Sequence, residues 1–465
     1  MKNLRNLNKA TAILLLVFSL KTQAQDSTKM INEIEKVISY YDSDVLKENI
    51  VLYSKPDLSE LKYDIERTQK LIDDHVRGHF GIDFDQDFFI DFWKGKNEDR
   101  NYTQGTTLSY TSPELNNSYL FLPFNIVDWI WSKTSKRPNN YIEFPATIGI
   151  GVSAFTPLVI DSPDPVEGDR PFGSVVALST IKRRYNVDKN ITHTTALNYG
   201  IFGTNVTNQF QSWIHSTPIS QRPSEISWHH QVSNGGSFGF LFSHTTTRVL
   251  ASVYSKSNKK SKEDQNMKTM ILDLTLDCRI DIGWYNSVGL PLVLRIGKIT
   301  AISQGAVDRT SANSSYNKSV QRRGNRLTDY INEKYKPENE KSVKKTERMF
   351  NDFLAETKSK KSKTWELYGF GKFKPRMTPH NSFILGQPNV ESEYTLDPQD
   401  YNPFIVDFEY GVVFSRMTIM EDVPTPIKYF DVILSLNHRT PEIRNDQYKR
   451  WHHWGNVSLR FPLLN

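Results

Sequence analysis

From Phe80 to the end of the chain, apolar and polar residues alternate in short runs separated by Gly, Asn, Asp and Pro. In NPFIVDFEYGVVFSRM, Phe404, Val406, Phe408, Tyr410, Val412 and Phe414 share one face, and Asp407, Glu409 and Gly411 share the other. Thr147, Gly149, Gly151 and Ser153 alternate with Ile148, Ile150, Val152 and Ala154. Phe430, Val432, Leu434 and Leu436 alternate with Asp431, Ser435 and Asn437, with Ile433 as the exception. Successive strand side chains point to opposite faces, so a period of two predicts strands with one apolar face each. Such segments lie near 80–90, 103–111, 144–156, 172–185, 191–204, 236–247, 248–257, 267–283, 289–302, 364–374, 403–417, 427–438 and 453–462. About ten residues suffice for a tilted strand to cross a bilayer. The pattern predicts an all-β fold, an antiparallel transmembrane β-barrel of about twelve strands over residues 79–465. A large soluble sandwich would alternate in the same way.

Three stretches break the pattern. Residues 25–78 place apolar residues three and four apart, as in MINEIEKVISYY and LSELKYDIERTQKLIDDHV, which predicts a helical N-terminal arm. Residues 308–363 are charged and rich in helix formers, and are expected to form a polar helical insertion on one barrel rim. Residues 1–24 join a basic start (Lys2, Arg5, Lys9) to the short apolar run Ala10–Leu20 and the small residues Thr22 and Ala24. This is the form of a signal peptide, with cleavage expected after Ala24. Beyond it no run is long and apolar enough to cross a bilayer as a helix, so a membrane-spanning chain must close as a barrel.

Composition adds little that changes this picture. The 26 Phe, 21 Tyr and 9 Trp suit interfacial girdles. A net charge of +6 is compatible with phosphorylated lipid head groups, whereas nucleic acid is a poor fit for an exported protein. The only cysteine, Cys278, excludes an intramolecular disulfide and is expected as a packed side chain.

Four clusters carry candidate chemistry. Asp83, Asp85 and Asp87 share one strand face, where their repulsion invites either a hard cation or ordinary lumenal hydrogen bonds. DRNYTQG at 99–105 reads as a turn running into a strand. Asp169 and Arg170 in GDRPFG suit anion binding or a rim ion pair. Gln211 and His215 lie four apart, on one face of any helix there, with His229 and His230 close behind. H-E-x-x-H and G-x-S-x-G are absent, which excludes zincin and serine α/β-hydrolase readings.

The order of these clusters resembles the lipid A 3'-O-deacylase family of calcium-dependent outer-membrane barrels. The residues concerned are Asp85-Gln86-Asp87-Phe88-Phe89, then Asp99-Arg100-Asn101-Tyr102-Thr103-Gln104-Gly105, then Asp169-Arg170-Pro171-Phe172. Gly203, Gln211, His215, Trp228 and Gln231 follow, and Thr440-Pro441-Glu442-Ile443 with Gln447 comes near the end. Gln86 departs from the family's usual Asn, and Gly173-Ser174 replaces its Ala-Gly. The resemblance implies metal-assisted hydrolysis of the 3'-linked acyl ester of lipid A in the outer membrane. It implies His215 as base, Asp87 at a calcium ion, Gln86 and Thr103 as orienting groups, and Arg170 with Asp169 on the substrate. Two rivals stand beside it, an outer-membrane phospholipase and a non-enzymatic pore or assembly barrel.

Overall fold

The computed structural model describes residues 50–51, 69–86, 101–124, 141–186, 191–215, 228–254, 269–300, 361–420 and 426–463. The chain divides into two units, and of the first, Met1–Val51, only the extended pair Ile50–Val51 is described. The second unit holds the barrel. Its strands are β1 (His79–Gln86), β2 (Asn101–Ser112), β3 (Ala146–Thr156), β4 (Gly173–Asn186), β5 (Ile191–Phe202) and β6 (Ser237–Tyr254). They continue as β7 (Thr269–Gly283), β8 (Tyr285–Gly289 with Leu292–Thr300), β9 (Lys361–Asn381), β10 (Phe404–Met420), β11 (Lys428–Arg439) and β12 (His452–Pro462). Each strand pairs antiparallel with its neighbours in sequence, and β12 returns to β1 through a ladder from Gly455↔Gln86 to Pro462↔His79. The result is the expected closed antiparallel barrel of twelve strands.

Two details of the strand count differ from expectation. The segments placed at 236–247 and 248–257 are one strand, β6. No Gly, Pro or Asn stands from Phe240 to Tyr254 to turn the chain, and a bulge between Val249 and Ala251 absorbs the irregularity instead. Strand β8 is broken at Leu290-Pro291, because proline has no N–H to give to a ladder. The Pro291 carbonyl still accepts from the Asp277 amide at 2.8 Å, so β7 keeps its hydrogen bond.

Alternation sorts the side chains as a membrane barrel requires. Phe80, Ile82, Leu434, Leu459 and Phe461 face outward, while Asp83, Asp85, Ser435, Asn456 and Ser458 are buried in the lumen. Cys278, expected to be packed within the protein, lies instead on the outer face of β7 and is exposed. Its neighbours Arg279 and Asp277 take the lumenal parity, which leaves the thiol the outward one.

The lumen is held by ion pairs in register across strands. Lys372 and Lys374 on β9 both donate to Glu409 Oε2 on β10 at 3.0 Å. Arg376 Nε reaches Asp407 Oδ2 at 3.0 Å, and Arg439 Nε reaches Asp407 Oδ1 at 2.6 Å. On the other side Arg279 grips Asp281, whose oxygens also accept from Ser243 and Ser287. Above these pairs an aromatic plug of Phe155, Phe202, Trp284, Tyr285, Phe383 and Trp454 fills one end of the lumen. Phe383 reaches in from the helical turn Ser382–Leu385, with its ring centroid 4.7 Å from that of Phe155 and 4.9 Å from that of Phe202.

The plugged end, called the mouth below, carries the connections β1–β2, β3–β4, β5–β6, β7–β8, β9–β10 and β11–β12. The opposite end, the base, carries the start of β1 and the end of β12. The insertion expected over 308–363 joins β8 to β9 at the base and lies outside the described residues, except that Lys361–Lys363 already belong to β9. Of the arm expected over 25–78, residues 69–75 are helical, and those before 69, apart from Ile50–Val51, lie outside the described residues, as does the expected signal peptide.

Removing Asp407 leaves two guanidinium groups buried without their shared anion, which typically costs about 3–5 kcal/mol. Asp407→Ala is therefore expected to insert as a barrel but to lose its heat-modifiable gel migration at markedly lower urea than the parent. An unchanged midpoint would show that the lumenal pairing carries no stability.

Candidate functional site

Strand parity decides which face each candidate residue presents. Asp83 and Asp85 point into the lumen, where Asn456 Nδ2 donates to Asp85 Oδ1 at 2.6 Å. Gln86, one residue on, therefore faces outward, as does its cross-strand neighbour Gly455. On its other side Gln86 pairs with Gln104, and Gln104 with Ala154. The ladder slips at this point: Tyr102 pairs with Phe155 and Gln104 with Ala154, so Thr103 is the extra residue of a β-bulge. Bulges bend a strand and re-aim side chains, and they gather beside active sites.

A small apolar roof covers this outer patch. Ala154 packs with Ile160 and Phe172 from the β3–β4 connection and with Trp228 from the β5–β6 connection. Trp228 is buried, and its Nε1 donates to Gln211 Oε1 at 2.8 Å. Gln211 belongs to helix α1 (Val206–His215), which lies against β3. The chain enters this helix through Gly203, whose φ of +66° and close approach to the Ser233 carbonyl exclude a side chain. The expected helical spacing is thus realised, and His215 ends α1 one turn beyond Gln211, on the same helical face.

Two buried polar atoms at the patch have no hydrogen-bond partner among the described residues: Gln86 Oε1, an acceptor, and Gln211 Nε2, a donor. Unpaired buried polar groups are costly, and such atoms mark places where a ligand completes the bonding. Gln211 was visible in the sequence through its spacing from His215, and both Gln211 and Trp228 through the motifs that carry the family resemblance. The side chains of Thr103 and His215, and all of Asp87, lie outside the described residues.

Asp169 and Arg170 sit on the other side of the wall. Asp169 is fully buried, and its oxygens accept from the amides of Leu158 and Arg170 at 2.7 Å each. Arg450 adds a two-pronged ion pair at 2.8 and 3.1 Å. The Arg170 guanidinium lies 4.5 Å above the ring of Phe155, a lumenal plug residue, and 3.5 Å from Glu442. Burial holds its pKa below the usual arginine value, against the opposing pull of Glu442. These placements realise the rim ion pair that was one of the two readings of these residues, and tie the β3–β4 connection to the β11–β12 connection. No local signal could have disclosed the partner, since Arg450 stands far from Asp169 in the chain.

The chain matches the family model described as Outer membrane protein LpxR over residues 67–463. It belongs to that family. The LpxR family is the lipid A deacylase group that the motifs resemble, and membership makes this chain an outer-membrane β-barrel with lipid A as its substrate class. Among solved structures, LpxR from Salmonella typhimurium is 12% identical, covers 83% of this chain and 100% of its own, and has a TM-score of 0.49. BamA from Haemophilus ducreyi lacking POTRA domains 1-3 is 8% identical, with coverage of 83% and 70% and a TM-score of 0.22. The TodX deltaS2S3 mutant monoaromatic hydrocarbon channel is 8% identical, with coverage of 90% and 98% and a TM-score of 0.25. No curated protein matches the sequence.

In this LpxR-family chain the two other histidines of the β5–β6 connection have duties of their own. His229 Nε2 is 3.3 Å from the Pro163 carbonyl. His230 Nε2 lies 2.5 Å from the same carbonyl, and its Nδ1 is 2.7 Å from Glu393 Oε2. Burial would lower the His230 pKa, but these two acceptors outweigh it and the net shift is upward. A folded-state pKa above the unfolded one means stabilisation present in full at low pH and lost as pH rises through the folded value. Hydrogen exchange of residues 228–236, corrected for its intrinsic base catalysis, is expected to quicken as pH rises through the neutral range. Glu393→Gln should flatten that profile, and an identical profile in both proteins would remove the role given to this pair.

Proposed function

We propose that the chain hydrolyses the 3'-linked acyl (acyloxyacyl) ester of lipid A with His215 as general base. The observation that carries this reading is the outward direction of the patch at the mouth. Gln86, the bulge at Thr103 and helix α1 meet on the outer wall, where a lipid in the adjoining leaflet reaches them without passing through the plugged lumen. A pore would place its working residues inside.

In this reading His215 removes a proton from water as the water oxygen bonds to the ester carbonyl carbon. The carbonyl π pair moves onto oxygen, and the Gln211 Nε2–H, without an acceptor among the described residues, is a donor suited to that oxyanion. When the tetrahedral intermediate collapses, the ester C–O bond breaks and His215 returns its proton to the departing sugar oxygen. Gln86 and Thr103 orient water and substrate. Asp169 and Arg170, which the motif resemblance assigned to the substrate, hold the mouth connections from the lumenal side in this reading, across the wall from the outer patch.

The residues present fit a calcium ion in kind. Gln86 Oε1 is a buried oxygen without a hydrogen-bond donor among the described residues, and Asp87 is its chain neighbour. Among the described residues no three His, Cys, Asp or Glu side chains come together to hold a metal, so in this proposal the site is completed by Asp87 and the substrate. Bound there, calcium would add positive charge beside the ester carbonyl.

His215→Ala is expected to insert and migrate like the parent while its release of 3'-acyl chains falls by about 10²–10⁴-fold. His229→Ala should retain most activity. Mass spectrometry of lipid A from cells with equal membrane levels of each variant reads the outcome. Full activity in His215→Ala, or release from phospholipid in place of lipid A, would overturn the proposal.

Chelation with EGTA should abolish deacylation by the purified protein, and added calcium should restore it. Asp87→Ala should remain inactive in calcium, whereas Asp83→Ala, altered only in the lumen, should respond to calcium like the parent. Deacylation that persists in chelator would refute the metal's part and leave that of His215 standing.

A further inference from the structure

At the mouth end of the outer wall, the last outward side chain of β11 and the first of β12 are both histidines. His438 pairs with His453 in the ladder, and their Nδ1 atoms lie 2.6 Å apart. From β10, the Tyr410 hydroxyl is 2.9 Å from His438 Nε2. Trp451, just before β12, is exposed, and its ring lies parallel to that of His453. His453 is eight residues from Phe461, the outward residue near the base end of β12. Eight steps of about 3.4 Å, tilted about 40°, rise roughly 21 Å. A lipid-facing band is about 25 Å tall, and Trp and Tyr gather at its edges. The histidine pair therefore stands at the rim of the band, where water and head groups reach it.

Two imidazole nitrogens this close hold either a proton or a metal ion between them. Imidazole suits zinc, copper and nickel, which bind its neutral lone pair. Metal-binding histidines almost always give their other ring N–H to a nearby acceptor. Tyr410 supplies that acceptor here: with His438 Nε2–H donating to the phenol oxygen, the lone pair of Nδ1 faces His453. Without an ion, His453 Nδ1–H donates to this lone pair. With one, the His453 proton sits on Nε2 and both Nδ1 lone pairs meet the ion. Two nitrogens each about 2.0 Å from one ion stand about 3 Å apart, so the rings need part by only about half an ångström. The other close histidine pairs are engaged differently. His229 and His230 both lie against the Pro163 carbonyl, and His230 also against Glu393. His193 and His244 turn their Nδ1 atoms to Thr246 and Thr195. Beside them the layer from Pro113 to Phe124 packs Phe121 and Phe124 with Leu197, and Tyr141 meets the His193 ring edge-on at 6.1 Å.

We propose that His438 and His453 together bind one divalent transition-metal ion of the zinc and copper class on the outer wall. Among the described residues no third His, Cys, Asp or Glu joins them, so the protein supplies two ligands and the remaining positions go to water or head-group oxygens. The pair lies between β11 and β12, whereas the patch at Gln86 extends across β1, β2 and β3. This inference does not depend on the hydrolase reading.

The test uses the full chain in detergent micelles, stripped of metal with EDTA and then held in saturating calcium. Zinc chloride is titrated in by calorimetry. The parent is expected to take up one zinc per chain in its tightest binding event. His438→Ala and His453→Ala should each weaken that event at least about tenfold, and Tyr410→Phe by about tenfold. His215→Ala and His244→Ala should keep the parent's affinity. With copper in place of zinc, electron paramagnetic resonance should show two equatorial nitrogens in the parent and one in either alanine variant. Heat-modifiable migration verifies the folding of each protein. Should an alanine variant fail to insert, His438→Gln reads the same loss. Zinc affinity unchanged in His438→Ala and His453→Ala would overturn the proposal, as would a parent with no one-to-one event. Affinity lost in His215→Ala would put the ion at the patch and overturn it equally.

Discussion

Hydrocarbon offers a peptide group no hydrogen-bond partner, so every backbone amide in the membrane must find one within the chain. Here that constraint is met by the ladder between β12 and β1, which joins the two ends of the sheet and leaves no edge. Much else follows from its register. Pairing Gly455 with Gln86 commits Asp85 to the lumen and Gln86 to the lipid side. A slip of one residue would exchange the two faces, exposing carboxylates to acyl chains and burying the amide of Gln86.

The lumen shows how such a barrel is filled without being a pore. Its middle is crossed by carboxylates shared between cations on neighbouring strands, and its mouth is closed by stacked aromatic rings. The two layers meet at Arg170 and Arg439, whose guanidinium groups lie over Phe155 and Trp454 while both approach Glu442. Cation–π contact lets one side chain belong to both the ionic and the apolar layer. The mouth connections are thereby fastened from inside, and the outer patch is built on a wall that has little freedom to shift.

The strands were legible in the sequence because one physical rule, period two, governs them all. Strand β6 was read as two segments because its outward face turns polar at His244, which looks like a turn to a reader following apolar positions alone. The layer from Pro113 to Phe124 escaped notice for a related reason: its short 3-10 turns carry no period. Within the site, the spacing of Gln211 and His215 did announce a helix, because that relation is local. The facing of Gln86 was implicit in the parity of Asp83 and Asp85, yet three aspartates in alternation drew attention to the lumen. The engagement of Asp169 by Arg450 could not be read at all, since it joins residues brought together only when the sheet closes.

In the proposed reading, the outward facing of Gln86 changes the dimensionality of the encounter. A site reached through the lumen would sample its ligand from solution, at a rate set by bulk concentration. A site on the outer wall samples molecules already confined to a leaflet, which arrive by lateral diffusion with their head groups at one height and their tails pointing one way. What governs such a site is surface density, the number of substrate molecules per unit area of membrane. Much of the orientational entropy of binding has then been lost before contact, through the lipid's own residence in the bilayer.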